Sequence, residues 1–247
     1  MIPPGTETRV VSFYCAITTS PDHMQYTRFF NQLCVAAYES DDGREHVAPR
    51  SPSEIDGWMD DGFGSVIDEI ICKKPGFIEA CEVGSWLGKS ADCIASRLKG
   101  RGRLICIDTW LGAPEFWTQR GLVDKTRGVA LKRRGGYPTV FFDFVNNMKM
   151  SGHTKTVAPF PLSSQAAADV LQRYDATFDF VYIDASHEYE SVLADIKAYA
   201  KLVKPGGFLI GDDYFQNWPG VIKAVDEFAE EQGYRVDVSG VIWKIQL

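Results

Sequence analysis

The stretch that most constrains this chain is Phe77-Ile-Glu-Ala-Cys-Glu-Val-Gly-Ser-Trp-Leu-Gly-Lys-Ser90. The apolar run from Phe77 to Val83 predicts a short buried strand carrying Glu82 near its end. The chain then turns at Gly84 and Gly88 and enters a helix at Ser90. Strand, glycine turn and helix N-terminus together form the ligand-binding corner of an open α/β sheet. Glycines suit such a turn because a ligand must approach the backbone where a Cβ would stand.

Two ligand classes compete for this corner. Gly84-Ser-Trp-Leu-Gly88-Lys89-Ser90 resembles a phosphate-binding loop, but that loop needs four residues between its glycines and this chain has three. Glu82 would also repel a triphosphate. The Glu82 carboxylate instead suits a cationic ligand, and the dinucleotide pattern G-x-G-x-x-G is absent.

Further along, Arg103-Leu-Ile-Cys-Ile-Asp108 predicts a second strand ending on an acid about 26 residues after Glu82. An acid at that tip accepts hydrogen bonds from ribose hydroxyls, or else caps the next turn. Thr177 to Asp184 and Phe208 to Asp213 predict two more strands with acidic ends. In a doubly wound sheet such tips line the ligand crevice. Asp184, Asp212 and Asp213 cannot all stay ionised at close range without compensation. A divalent cation with oxygen ligands answers this, and carboxylates favour Mg²⁺, Ca²⁺ or Mn²⁺ over zinc; the plainer alternative is that these acids cap turns.

Around these strands the pattern alternates. Helices are expected from His23 to Glu39, from Ser53-Glu54 through Ile71, from Thr139 to Met150, from Gln165 to Tyr174, from about Glu188 to Leu202, and from Pro219 to Glu231. Val10 to Ile17 reads as a strand or arm, 41–50 as a loop, and Thr154 to Ala158 as a weak strand. Lys204-Pro-Gly-Gly207 reads as a turn. Tyr234 to Val238 and Val241 to Ile245, split by Ser239-Gly240, read as a closing antiparallel hairpin. The region 110–137 is too long for an ordinary connection and carries Phe116, Trp117 and Tyr137, so it reads as a lid-like insert. The expected organisation is an N-terminal helical extension over 1–74 and one ligand-binding domain over 75–247.

Composition excludes several classes. A net charge of −7 argues against a nucleic-acid surface, and Lys132-Arg133-Arg134 is too local to provide one. No apolar run approaches a membrane span, and the start Met1-Ile-Pro-Pro-Gly lacks a signal-peptide pattern. Six cysteines without C-x-x-C spacing read as reduced thiols, which points to a cytoplasmic setting.

Glu82-x-Gly84-x-x-x-Gly88, Ile107-Asp-Thr-Trp-Leu-Gly112, Tyr182-Ile-Asp-Ala-Ser-His-Glu-Tyr189, Lys204-Pro-Gly-Gly207 and Gly211-Asp-Asp-Tyr214 together resemble class I S-adenosylmethionine-dependent methyltransferases. Within that class the chain is similar to the metal-dependent small-molecule O-methyltransferases of the macrocin and aminocoumarin-sugar type, and more distantly to catechol O-methyltransferase. The resemblance covers roughly residues 77 to 232.

It implies an α/β, Rossmann-like, doubly wound and mostly parallel seven-stranded sheet with a C-terminal antiparallel hairpin. It implies S-adenosyl-L-methionine as cofactor, with Glu82, Gly84 and Gly88 at its methionine end, Asp108 at the ribose, and Trp110 and Ser164 beside the adenine. Ser85, Ser90, Thr109 and Asp184 complete that binding set. Asp184, Asp212 and Asp213 would hold Mg²⁺ or another divalent cation, and His187 falls where relatives place a general base. Sugar-modifying relatives carry a second acid two residues after the first metal Asp; here it is Ser186. The implied activity is methyl transfer to a hydroxyl of a small molecule such as a natural product, sugar or phenol. N-methylation, or a non-catalytic cofactor-binding partner protein, stands as the alternative. The N-terminal extension reads as either a homodimer contact or a pocket cover.

Overall fold

A computed structural model describes residues 21–39, 55–98, 100–113, 116–117 and 131–247. The anticipated strand at Val10–Ile17, the loop at 41–50 and the helix start at Ser53-Glu54 lie outside these residues, as does most of the interior of the 110–137 insert.

Seven strands form one sheet, in the order β5-β2-β1-β6-β7-β9-β8. They are β1 (Ile78–Val83), β2 (Gly102–Ile107), β5 (Val157–Phe160), β6 (Phe178–Ile183), β7 (Val203–Gly211), β8 (Val236–Ser239) and β9 (Ile242–Gln246). The first five are parallel; β9 pairs antiparallel with β7, and β8 pairs antiparallel with β9 to close the edge. The chain runs outward from β1 to β2 and β5, then returns to add β6 and β7 on the other side of β1. This reversal makes a switch point between β1 and β6, where helices leave the sheet in opposite senses and open a crevice.

Helices α1 (Pro21–Tyr38), α5 (Ser164–Arg173), α6 (Tyr189–Ala200) and α7 (Pro219–Gln232) cover one face of the sheet. Helices α2 (Phe63–Cys72), α3 (Lys89–Leu98) and α4 (Val140–Met150) cover the other. Because both faces are covered, β1, β2 and β6 are buried at every position, which is why they are mostly apolar on both faces and show no strict polar alternation. In α2, Phe63, Val66, Ile67, Ile70 and Ile71 repeat at helical spacing and are all buried. Burying each such side chain stabilises the fold by about 1.5–3 kcal/mol.

Three expectations need correction. The helix expected from Ser53-Glu54 begins only at Phe63: Asp60 Oδ1 accepts the Gly62 N–H at 2.7 Å, and Gly57 holds φ +148°. Such a side-chain turn offers the backbone an alternative to helix, so Ile55 and Met59 sit in an extended strap. The strand expected at Thr154–Ala158 is shifted to Val157–Phe160, because 154–156 close a turn on the His153 carbonyl. Pro159 is tolerated because β5 is an edge strand. Lys204-Pro-Gly-Gly207 is a bulge inside β7: Val203 pairs with Phe178 and Phe208 with Phe180, so the residues between loop out of register.

The insert contributes a small hairpin, β3 (Arg133–Arg134) and β4 (Tyr137–Pro138), turning at Gly135 and Gly136 with φ of +56° and +83°. Two positive φ values suit the right-handed twist of a tight hairpin, hence the glycine pair.

Candidate active site

The end of β1 meets the end of β2 at the glycine corner. Asp108 Oδ2 accepts the backbone N–H groups of Ser85 (3.0 Å) and Trp86 (2.8 Å), and its Oδ1 accepts that of Trp110 (2.7 Å). Burial pushes the Asp108 carboxyl up while these N–H groups pull it back. A carboxylate offers about four lone-pair sites, so roughly one remains for a ribose hydroxyl.

Trp110 is packed beneath the corner. Its ring lies against Phe141 and Phe144 at 5.1 and 5.0 Å, and its Nε1 donates to the Trp86 carbonyl at 2.8 Å. The indole thus props the loop from the core. Thr109 is exposed, and its hydroxyl accepts the Leu111 N–H. Ser164 starts α5, and its carbonyl accepts the Tyr199 hydroxyl at 2.7 Å.

Glu82 is fully buried. Its Oε2 accepts the Cys106 thiol at 3.3 Å, while Oε1 has no partner, and the neighbouring buried Ser85 Oγ has none either. Burial raises the Glu82 carboxyl to about 6, partly offset by the Cys106 thiol. A buried carboxylate oxygen left bare is costly unless something binds it. An ammonium-bearing ligand with hydroxyls, such as S-adenosylmethionine, would satisfy both oxygens. Gly88 (φ +91°) lies flat on Phe144 and Met148, and a Cβ there would come within 2.7 Å of the Met148 side chain.

At the switch point the second half of the site begins. The Asp184 N–H donates to the Val83 carbonyl at 2.7 Å, continuing the β1–β6 ladder one step past the strands. Asp213, at φ +63°, turns towards His187, whose Nε2 lies 2.7 Å from Asp213 Oδ2. Ligand atoms of Asp184, His187 and Asp213 all lie within 4.8 Å of one another, close enough to share one metal ion. Burial first, then the charges of Asp212, Asp213 and Glu82, push the Asp184 carboxyl well above the usual carboxylate range. Asp212 is raised mainly by burial as well. Acids held this way gain from a divalent cation, so the donor set fits one.

Asp212 is engaged from within: Oδ1 accepts the Asp213 N–H at 2.8 Å, and Oδ2 faces the Tyr182 hydroxyl at 3.1 Å. The acidic edge therefore gathers Asp184, Asp213 and His187 around one point, with Asp212 directly alongside. Ser186 accepts the Glu188 N–H and shapes the turn into α6.

Two neighbours escaped sequence reasoning. Tyr182 precedes Asp184 by two in a strand, and strand alternation alone puts both on one face. Trp218 stacks on the His187 ring at 4.0 Å and 25°, and no sequence spacing signals that contact. It depends on Gly220, where a Cβ would come within 2.5 Å of the His187 carbonyl, so only glycine lets α7 begin there.

The strap before α2 borders the same crevice. Gly57 packs beside Trp86 and Lys89, whose Nζ donates to the Gly57 carbonyl at 3.1 Å, and Trp58 lies 6.3 Å from Trp86. None of the described helices is long and apolar enough to cross a membrane.

A family model described as a methyltransferase domain matches residues 81–214. An uncharacterized protein of Acanthamoeba polyphaga mimivirus is 30% identical over 90 residues, covering 35% of this chain and 41% of that protein. The chain thus matches less than half the length of this curated relative. Among solved structures, the calicheamicin methyltransferase CalS11 superposes over 99% of this chain and 98% of its own, with 16% identity and a TM-score of 0.54. An O-methyltransferase from Bacillus cereus, solved in complex with SAH, covers 94% of each chain with 16% identity and a TM-score of 0.50.

Proposed function

The chain belongs to the methyltransferase-domain family and has the class I S-adenosylmethionine-dependent fold, and from that premise we propose that it is a divalent-cation-dependent O-methyltransferase of a hydroxyl-bearing small molecule. The observation that carries this reading is the convergence of Asp184, His187 and Asp213, whose ligand-capable atoms lie within 4.8 Å of one another, at the switch point beside Glu82.

In this reading Glu82 and Ser85 hold the ammonium end of S-adenosylmethionine, and Gly84 and Gly88 let it lie on the backbone. Asp184 and Asp213, with Asp212 beside them, hold Mg²⁺ or a similar cation. Once bound, such a cation lowers the pKa of an acceptor hydroxyl and fixes its orientation. His187 takes the proton. With Nε2 donating to Asp213 Oδ2, the Nδ1 lone pair is the one that accepts it, and Asp213 stabilises the resulting imidazolium. The acceptor oxygen then forms its bond to the methyl carbon as the carbon–sulfur bond breaks, leaving S-adenosylhomocysteine. Since sulfur loses its positive charge, no acid is needed, and the protein's contribution is positioning.

CalS11 is also described as a TDP-rhamnose 3'-O-methyltransferase. That supports a hydroxylated small molecule as acceptor here, without specifying a sugar.

The test is calorimetric titration of S-adenosylhomocysteine, together with Mn²⁺ binding followed by electron paramagnetic resonance, for wild type and Asp213→Ala. Binding of both ligands, with Mn²⁺ uptake lost in Asp213→Ala, is the expected result. Cofactor binding without Mn²⁺ uptake would put an amine acceptor at the acidic edge. A folded protein that binds neither ligand would overturn the proposal.

A further inference from the structure

Tyr182 carries a hydroxyl into a largely apolar wall. It is fully buried, and on its side of the sheet the core around it is built from Phe63, Phe180, Phe208, Ile210 and Ile242. Its ring packs on Phe63 at 4.6 Å. A hydroxyl in such surroundings costs free energy unless it is hydrogen-bonded, and phenylalanine would fill the same space. Its only reason to be there is the pair of oxygens it reaches: Asp184 Oδ2 at 3.2 Å and Asp212 Oδ2 at 3.1 Å.

Strand register explains how one side chain meets both. Tyr182 pairs with Glu82 on β1 and Ile210 on β7, so Asp184 and Asp212 each lie two residues beyond a mutually paired position. Side chains two apart on a strand share a face, which brings both carboxylates over the phenol.

The hydroxyl has one hydrogen and faces two carboxylates. It can donate to one of them, leaving the other oxygen against its lone pairs. A cation held at Asp184, with Asp212 alongside, offsets the repulsion between the two acids, while the hydroxyl donates to one of the two inner oxygens and keeps the carboxylates at a fixed spacing. Residues that hydrogen-bond to metal-ligating carboxylates fix their orientation in this manner.

We infer that Tyr182 is a positioning residue for the divalent-cation site, its hydroxyl setting the spacing and orientation of Asp184 and Asp212. The inference rests on the proposed cation dependence. It assigns Tyr182 no contact with acceptor or cofactor.

The experiment is Mn²⁺ titration by electron paramagnetic resonance on wild type, Tyr182→Phe and Tyr199→Phe, with S-adenosylhomocysteine affinity measured in the absence of metal. Tyr199 also loses a buried hydroxyl when changed to phenylalanine, but its partner is the Ser164 carbonyl. The expected result is a roughly 10- to 100-fold loss of Mn²⁺ affinity in Tyr182→Phe alone. Metal-free cofactor affinity and melting temperature should stay near wild type in that variant. A general packing defect would move these together with metal binding. In wild type, saturating Mg²⁺ should also produce a near-ultraviolet tyrosine difference band, a readout that does not depend on the variant folding.

Wild type that takes up Mn²⁺ no more tightly than Tyr182→Phe overturns the inference and leaves cation dependence standing. So does the lack of any tyrosine difference band in a wild type that binds Mg²⁺. Wild type that binds no cation at all overturns both.

Discussion

The backbone of Gly84 lies directly against the carbonyl of Asp184, so that a Cβ on Gly84 would overlap the Asp184 oxygen. The glycine loop and the acidic edge are therefore one mechanical unit, seamed at the switch point of the sheet. Gly84 also holds φ +92°, which other L-residues avoid. Gly84→Ala should destabilise the protein by about 2–4 kcal/mol, since both strain and clash apply. It should also weaken S-adenosylhomocysteine binding and Mn²⁺ binding together. Gly76 is the control: its φ is +85° but nothing lies within 4 Å of its Cβ position, so Gly76→Ala should cost only about 1–2 kcal/mol and leave both ligands unaffected. Thermal melts and calorimetry on the two variants separate seam from strain.

If Glu82 holds the cofactor as proposed, it should link pH to binding. Its carboxyl sits at about 6 in the folded protein against an ordinary 4.5. Between those values the folded state binds more protons than the unfolded state, so ligand-free stability falls as pH rises through that window and levels off above it. The loss comes to about 2 kcal/mol. Glu82→Gln removes it, and the ligand-free variant should melt higher than wild type at neutral pH. A cationic ligand favours ionised Glu82, so S-adenosylhomocysteine affinity should rise as pH passes through 6, and binding near pH 6 should release a proton. Calorimetry in buffers of different ionisation enthalpy measures that proton. Flat affinity from pH 5 to 8 would remove Glu82 from the cofactor site.

Sequence alone reached the sheet because β1, β2 and β6 are buried on both faces and so appear as short, mostly apolar runs without polar alternation, each followed by an acid or glycine where the chain leaves the core. The crevice was legible for the same reason: Glu82, Asp108, Asp184 and the Asp212-Asp213 pair are the polar residues that end those runs. What stayed hidden depends on contacts made at a distance. The start of α2 was misplaced because Ile55 and Met59 fit a helical period, while the Asp60–Gly62 turn outweighs it. The family resemblance places Trp110 beside the adenine; its indole is buried against Phe141 and Phe144, at a positive φ of +51°, a packing contact that no sequence spacing signals. Tyr182 read as one more apolar strand residue, since its hydroxyl gains meaning only when β7 brings Asp212 beside Asp184.

His187 can serve as base or as metal ligand, and the two roles separate under substitution. As base, its loss leaves the carboxylates free to hold the cation. His187→Ala should then keep Mn²⁺ and S-adenosylhomocysteine affinities within about threefold of wild type while methyl transfer falls by about 10²–10⁴. Trp218→Ala, which removes the stacked indole, should lower turnover more mildly and leave both affinities unchanged. A large loss of Mn²⁺ affinity in His187→Ala would move His187 into the coordination sphere.

At the opposite end of the strands the chain buries a charge pair that has no part in the chemistry. Arg103 Nε lies 2.6 Å from Glu79 Oε2, both groups nearly inaccessible to water, and Arg103 Nη2 donates to Thr27 Oγ1 at 3.1 Å. The guanidinium also lies over the Tyr26 and Phe30 rings at 4.6 and 5.0 Å, so one side chain pins α1 to the sheet. Removing the cation alone strands a carboxylate that burial already pushes upward. Arg103→Met should therefore destabilise the protein by about 3–5 kcal/mol, whereas Arg103→Met combined with Glu79→Leu should recover much of that loss, because no buried charge remains. Hydrogen exchange should show α1 amides opening first in the single variant. S-adenosylhomocysteine affinity, set at the other end of the same strands, should stay at the wild-type value in whatever fraction is folded. A loss of affinity in the folded fraction would mean that α1 helps to hold the crevice open, and that the N-terminal helix belongs to the site as well as to the fold.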